Sequence, residues 1–284
     1  MGHIPEIDSG HLLRSRRAFF DTVRDAERLI LEDPARLATT RNALVADGYF
    51  YLAMYDYALD EPLDSIRKEL SCAVEAYFKV LESRGTEPIL SSLQVHLDAS
   101  ARPINPLIRS ASGRQVDFSI GNSARTYDFC AAAFLSQARS SVQHLAGKIW
   151  DPPNAPYVRW DSIYCTPNQQ AIAYAFRELA RGADEDGLSC LQNLREERLT
   201  ELQRNEVLCL RGVAKGNESM IGFGIEELLN HHCAYANQKQ NRNDPDAFVC
   251  KAAVNTSALC LQRNLMPWTK ISSTPYLPVE MLKG

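Results

Sequence analysis

The segment Thr166-Pro-Asn-Gln-Gln-Ala-Ile-Ala-Tyr-Ala-Phe-Arg-Glu-Leu-Ala-Arg-Gly182 decides the fold. Thr166 supplies a side-chain oxygen for an orphan backbone N–H, and Pro167 follows at the first helical position, where its missing donor costs nothing. Ile172, Ala175, Phe176 and Leu179 then recur at three- and four-residue steps, with Gln169, Gln170, Arg177, Glu178 and Arg181 on the opposite side. Gly182 marks the stop. The plan repeats downstream: Leu202, Cys209, Leu210 and Val213 form one stripe, Gly216-Asn217 breaks it, and Ile221, Ile225, Leu228 and His232 begin another. Gly182 and Gly216 lie 34 positions apart, a spacing found in two-helix repeats. An ordinary helical bundle gives the same count about as often.

Outward from this block the helical period persists. Asn122-Ser123 cap a long helix carrying Tyr127, Cys130, Phe134, Ala138, Val142, Leu145 and Ile149. Leu63, Ile66, Leu70, Ala73, Tyr77 and Val80 make one face of a helix that stops at Gly85. Ser9 to Leu31 form another, with Leu12, Leu13, Phe19, Phe20, Val23 and Ile30 as its apolar set, and Asp33-Pro34 begin a helix running through the aromatic stretch Tyr49 to Tyr57. Those tyrosines read as core packing in preference to a ligand groove. On the other side, Asp244-Pro245 start a helix carrying Phe248 to Cys260, and an extended tail packs back through Tyr276, Leu277 and Leu282. From Thr86 to Gly121 the period is lost among prolines; Val116, Phe118 and Ile120 alternate like a strand and Gly113 suits a hairpin turn. The expectation is a single all-α domain over 1–284, an array of antiparallel helix pairs. It comprises N-terminal helices (9–85), an irregular or hairpin insertion (86–121), a helical array (122–265) and an extended tail (266–284).

Composition narrows the function classes. A formal charge of −4 disfavours sequence-independent nucleic-acid binding, and the short basic cluster Arg14, Arg16, Arg17 reads as a solvated helix face. No apolar run reaches the roughly 20 residues that span a bilayer. Met1-Gly-His-Ile-Pro-Glu lacks the basic segment and apolar run of a secretory leader, and no CxxC pair occurs among the eight cysteines. A reduced cytoplasmic setting is expected.

The candidate chemistry is sparse. His231-His232-Cys233 has the wrong spacing for a metal site, since neighbours on a helix point about 100° apart. Cys165 precedes a helix N-terminus, which would lower a thiol pKa, and His96 and His144 are its central candidate bases. Asp184, Glu185 and Asp186 read as charges complementing a helix dipole. Gly222-Phe-Gly224 lacks the strand that precedes a phosphate loop. Neither a cofactor nor a metal is expected. The proline-bound loop around Tyr157, Arg159, Trp160 and Asp161 offers rigid aromatic and arginine anchors for a partner, and the acidic turn Asp184 to Asp186 suits a basic surface.

Four segments carry a resemblance: Ile149-Trp-Asp-Pro-Pro, Cys165-Thr-Pro-Asn-Gln-Gln-Ala-Ile-Ala-Tyr-Ala, Asp246-Ala-Phe-Val-Cys-Lys-Ala-Ala and Thr274-Pro-Tyr-Leu-Pro-Val-Glu-Met-Leu. Together they resemble the immunity protein 49 family of bacterial polymorphic toxin systems over about Asn122 to Leu282. The resemblance implies a cytoplasmic, non-catalytic antidote that binds a cognate toxin delivered by a type VI or contact-dependent route, and it carries over no catalytic residue. The competing readings are a helical-repeat interaction adaptor and, third, an enzyme working through Cys165 or His231.

Overall fold

Reciprocal capping starts the deciding helix. The computed structural model describes residues 8–33, 38–83, 107–109, 115–117, 121–149, 161, 165–192, 194–265 and 274–282. In it Thr166 Oγ1 accepts from the Gln169 N–H at 3.3 Å while the Gln169 side chain accepts from the Thr166 N–H at 2.9 Å. At the other end Gly182 adopts a φ of +83°. The Ala183 N–H then reaches the Glu178 carbonyl at 2.9 Å and the Gly182 N–H reaches that of Leu179 at 3.1 Å, the paired bonds of a Schellman close. Gly216 ends its helix in the same way, with a φ of +60° and Asn217 N–H bonded to the Gly212 carbonyl at 2.9 Å.

In chain order the helices are α1 (Ser9–Glu32), α2 (Ala38–Ala58), α3 (Leu63–Ser83), α4 (Ser123–Leu135), α5 (Arg139–Lys148), α6 (Pro167–Ala180), α7 (Asp184–Gln192), α8 (Glu201–Ala214), α9 (Glu218–Ala236), α10 (Lys251–Gln262) and α11 (Val279–Leu282). Single 3-10 turns sit at Glu196–Arg198 and Pro245–Ala247. The fold is all-α, with consecutive helices packed as pairs: α1 on α2, α2 on α3, α6 on α7 and α8 on α9. The one minor addition among the described residues is a short antiparallel ladder, β1 (Leu107–Arg109) with β2 (Gln115–Asp117), in which Ile108 faces Val116. Gly113, Phe118 and Ile120 lie outside the described residues, as do Pro34, Gly85 and the loop 150–160.

Two inner helices hold the array together. α4 buries every residue from Phe129 to Leu135, and α10 buries every residue from Ala253 to Cys260, so neither keeps a polar outer face. They pack on each other, and α3, α5, α6 and α8 surround them. Tyr77 of α3 stacks on Phe129 of α4 at 4.0 Å between ring centroids, and its hydroxyl meets Thr126 Oγ1 at 2.9 Å. The aromatic stretch of α2 is helical and packs inward: Tyr55 is buried against Phe248 at 6.2 Å, and Tyr57 donates to the Pro275 carbonyl at 2.6 Å.

Five local expectations need correction. The long helix from Asn122 is two helices, because Gln137 takes a left-handed φ of +65° and turns α5 back onto α4. Asp244-Pro245 cap the 3-10 turn alone; α10 begins after Cys250. The chain from Val279 to Leu282 is a helical turn instead of extended tail, although Tyr276, Leu277 and Leu282 are buried as expected. Leu13 and Phe20 are exposed at 55% and 49%, off the buried face of α1. Arg16 is no solvated charge, for its Nη2 donates to the fully buried Asp56 at 3.0 Å.

Candidate functional site

Of the partner-binding candidates read from the sequence, Tyr157, Arg159 and Trp160 lie outside the described residues. Asp161 does not belong to a surface. It is 2% exposed, and its carboxylate accepts from the Ser123 N–H at 2.7 Å, Gln170 Nε2 at 3.3 Å and the Tyr174 hydroxyl at 3.0 Å. It thus ties the start of α4 to α6, work that a solvated charge would not do. Asp184 is half-buried and paired with Arg263 Nη1 at 2.5 Å, while Glu185 and Asp186 stand exposed in the first turn of α7.

The structure brings together a different set. Between α4, α6, α8, α9 and α10 lies a cavity of about 390 Å³. First-turn residues of four helices reach it: Ala124 of α4, Gln169 of α6, Leu202 and Gln203 of α8, and Lys251 and Ala252 of α10. Gln169 and Gln203 are also the return partners in the capping boxes of Thr166 and Thr200, so the caps that begin α6 and α8 form part of the wall. His231, His232 and Tyr235 arrive from the C-terminal half of α9. Ile172, Leu202 and Val249 supply apolar surface.

Two charged groups give the cavity its character. Glu206 of α8 is 7% exposed and accepts from the Tyr127 hydroxyl at 2.6 Å. The Tyr127 ring is held edge-on against Phe176 at 4.9 Å, and its carbonyl accepts from the buried Asn255 amide at 2.8 Å. Burial raises the Glu206 carboxyl to about 7, against the Tyr127 hydrogen bond that favours the anion. Lys251 Nζ sits 2.9 Å from Asp246 Oδ1 and 3.3 Å from Asp128 Oδ2, and 5.2 Å from the centre of the Phe50 ring. Burial works against its charge, but the two carboxylates prevail and hold it above the ordinary lysine range.

The groups read as candidate chemistry take structural places. His232 Nε2 lies 2.9 Å from the Ala247 carbonyl, and burial lowers its imidazole to about 4, so the neutral ring donates that bond. Cys165 lies at the start of α6 as expected, but its thiol is raised, first by burial and then by the neighbouring Asp161. The lowering expected from a helix N-terminus is overcome. His144 is exposed and meets Phe78 edge-on at 4.9 Å; His96 lies outside the described residues. Among the described residues, no group of three or more His, Cys, Asp or Glu is placed to hold a metal ion, and no helix is long and apolar enough to cross a membrane.

Sequence reasoning missed the cavity because its walls come from five helices. One local signal was present: Glu206 falls four residues after Leu202 and three before Cys209, a carboxylate on an otherwise apolar stripe. Lys251, between Cys250 and Ala252, is a second charge in an apolar run. No family model, curated protein or solved structure matches this chain.

Proposed function

We propose that this chain is a toxin-neutralising binding protein: an immunity protein that captures a cognate bacterial effector, delivered by a type VI or contact-dependent route, in the cytoplasm. It acts by occupancy instead of turnover. The supporting observation is the placement of the segments that resemble the immunity protein 49 family. Gln169 and Ile172 from one segment and Asp246, Val249, Cys250 and Lys251 from another line the same cavity. The C-terminal segment joins them, as the Cys250 N–H donates to the Tyr276 carbonyl at 2.9 Å and Tyr276 packs on His232. Segments distant in sequence thus frame one structural block.

An antidote needs a rigid scaffold and a few strong anchors. The inner helices α4 and α10 supply rigidity. Glu185 and Asp186 offer negative charge to a basic surface, and Phe223, 57% exposed on α9, offers an aromatic anchor. The test is expression of the neighbouring gene's product in the cytosol with and without this chain, followed by co-purification. Rescue of growth together with a stable complex is the expected result. Persistent toxicity with no complex, despite good expression of this chain, overturns the pairing.

A further inference from the structure

We propose that the cavity between α4, α6, α8, α9 and α10 binds a cationic group carried on a short aliphatic stem, an ammonium or a guanidinium, and seats it on Glu206. This goes beyond the toxin-neutralising reading and does not depend on it. The argument begins with an incomplete hydrogen-bond set. A buried carboxylate requires donors on both oxygens. Oε1 of Glu206 has the Tyr127 hydroxyl, whereas Oε2 has no protein donor among the described residues and keeps access to the cavity that this 7% exposed residue lines. A charged N–H is the strongest partner for that oxygen.

Charge around the cavity selects the sign of the ligand. Asp128 and Asp246 outnumber Lys251, which they hold between them, so this triad is net negative before Glu206 is counted. The imidazoles facing the cavity are His231 and the neutral His232, and the facing phenols are Tyr127 and Tyr235, the latter donating to Asp244 at 3.2 Å. Four helix N-termini reach the wall, and each carries a partial positive charge of about half a unit that favours an anion. Three of those ends are capped by the side chains of Asn122, Thr166 and Thr200, so N–H groups that would otherwise receive an anion are already taken up. The walls suit a stem: Ile172, Leu202 and Val249 offer apolar contact to methylene groups. The volume of about 390 Å³ lies within the range of small-ligand pockets.

The same chemistry arises from a free alkyl amine or guanidine, or from a Lys or Arg side chain on a protein partner. Calorimetric titration of the full chain at about pH 8, where Glu206 is ionised, separates them. The probes are n-butylamine, n-butylguanidinium, and the N-acetyl methylamides of lysine and arginine, with n-butanol as the uncharged control. Saturable binding of a cation that weakens at least about tenfold in Glu206→Gln is expected. Binding of the butyl cations alone assigns a free small molecule; binding of the blocked amino acids as well admits a partner's side chain. Independently of the variant, the wild-type affinity falls at least about tenfold from about pH 8 to about pH 5.5 as Glu206 takes up its proton. This arm carries the test if Glu206→Gln unfolds. Absence of saturation by every cation, equal affinity in a folded Glu206→Gln, binding of butanol as tight as that of the cations, or an affinity unchanged with pH overturns the proposal.

Discussion

Replacing Gly224 by alanine tests how closely α8 and α9 approach. The added methyl would lie 2.6 Å from Cys209 Sγ and 3.3 Å from both the Asn205 carbonyl oxygen and the Cys209 nitrogen. Two of those atoms belong to the α8 backbone. The third is on a fully buried side chain whose thiol lies 3.9 Å from the Ile221 carbonyl, so it has no solvent to move into. The contact is reciprocal, since a Cβ at Gly212 of α8 would meet Ile221 Cγ1 at 2.8 Å and the Ile221 nitrogen at 3.1 Å. Helix propensity favours alanine over glycine by about 1 kcal/mol, whereas overpacking a filled interface costs about 1–3 kcal/mol. With backbone on the far side the upper half of that range applies, leaving Gly224→Ala destabilised by about 1–2 kcal/mol. At about 2–4 °C per kcal/mol for domains of some 150–250 residues, Tm falls by several degrees. Gly147 on α5 is the control, for a Cβ there meets nothing within 4 Å and Gly147→Ala gains about 0.5–1 kcal/mol. Urea unfolding followed by far-UV circular dichroism reads both. A Gly224→Ala protein as stable as the wild type, or a Gly147→Ala protein that loses as much as Gly224→Ala, refutes the packing argument.

Three further outcomes follow from the buried polar groups. Glu206 keeps its proton to about 7 in the fold and only to about 4.5 in the unfolded chain, so between those values the native state binds more protons and stability falls as pH rises. Glu206→Gln removes that loss and gains up to roughly 3 kcal/mol on the wild type across the window; Glu69 is also raised to about 7, so the difference between the two proteins is the diagnostic, and a constant difference sinks the assignment. Asp161→Ala strips the acceptor from Ser123, Gln170 and Tyr174 and costs about 2–4 kcal/mol, against about 0.5 kcal/mol or less for exposed Glu185→Ala; equal midpoints for the two variants would show that Asp161 is solvated after all. Cys130, Cys165, Cys209, Cys250 and Cys260 are buried and Cys72, Cys190 and Cys233 are partly exposed, so a disulfide-exchange reagent labels the native protein first at these three, although burial raises the thiols of Cys72 and Cys190 as well as those of the buried five. Rapid modification of Cys165, located by peptide mass spectrometry, contradicts its burial.

The legible parts of the fold are those whose cause is local. Thr166-Pro167 and Gly182 act within one turn of themselves, and the helix between them begins and ends where they stand. The break after Leu135 has no such mark. Phe134, Ala138 and Val142 continue the apolar spacing across it, and the left-handed residue is Gln137, where Gly or Asn would have announced the turn. Packing of α5 back on α4 decides that conformation, and it is a contact between helices. The same limit hid the cavity. Asp161 reads as a loop charge until Ser123, far earlier in the chain, is brought onto it. Gly224 reads only as part of a triplet that lacks the context of a phosphate loop, because Cys209, against which it packs, is not next to it in sequence. Glu206 and Lys251 betrayed themselves, each by placing a charge in an otherwise apolar run.

The N-terminal helices build the layer behind the cavity. Phe50 of α2 lies against the Lys251 ammonium, and Asp47 of the same helix pairs with Arg125, whose charge Asp128 also stabilises. Tyr77 of α3 covers Phe129, and Tyr55 covers Phe248 beside the turn that carries Asp246. One continuous hydrophobic core runs from Leu12 to Leu282 through these contacts. Stripping α1 to α3 would therefore expose the stacked ring of Phe129 and leave Lys251 without its aromatic neighbour. The Lys251 ammonium, 17% exposed beside carboxylates that are already 37% exposed, would then face water too, where its two contacts are worth little. The N-terminal third thus acts on the site through Lys251: by covering that ammonium it lowers the dielectric around it and strengthens its pairing with Asp128 and Asp246.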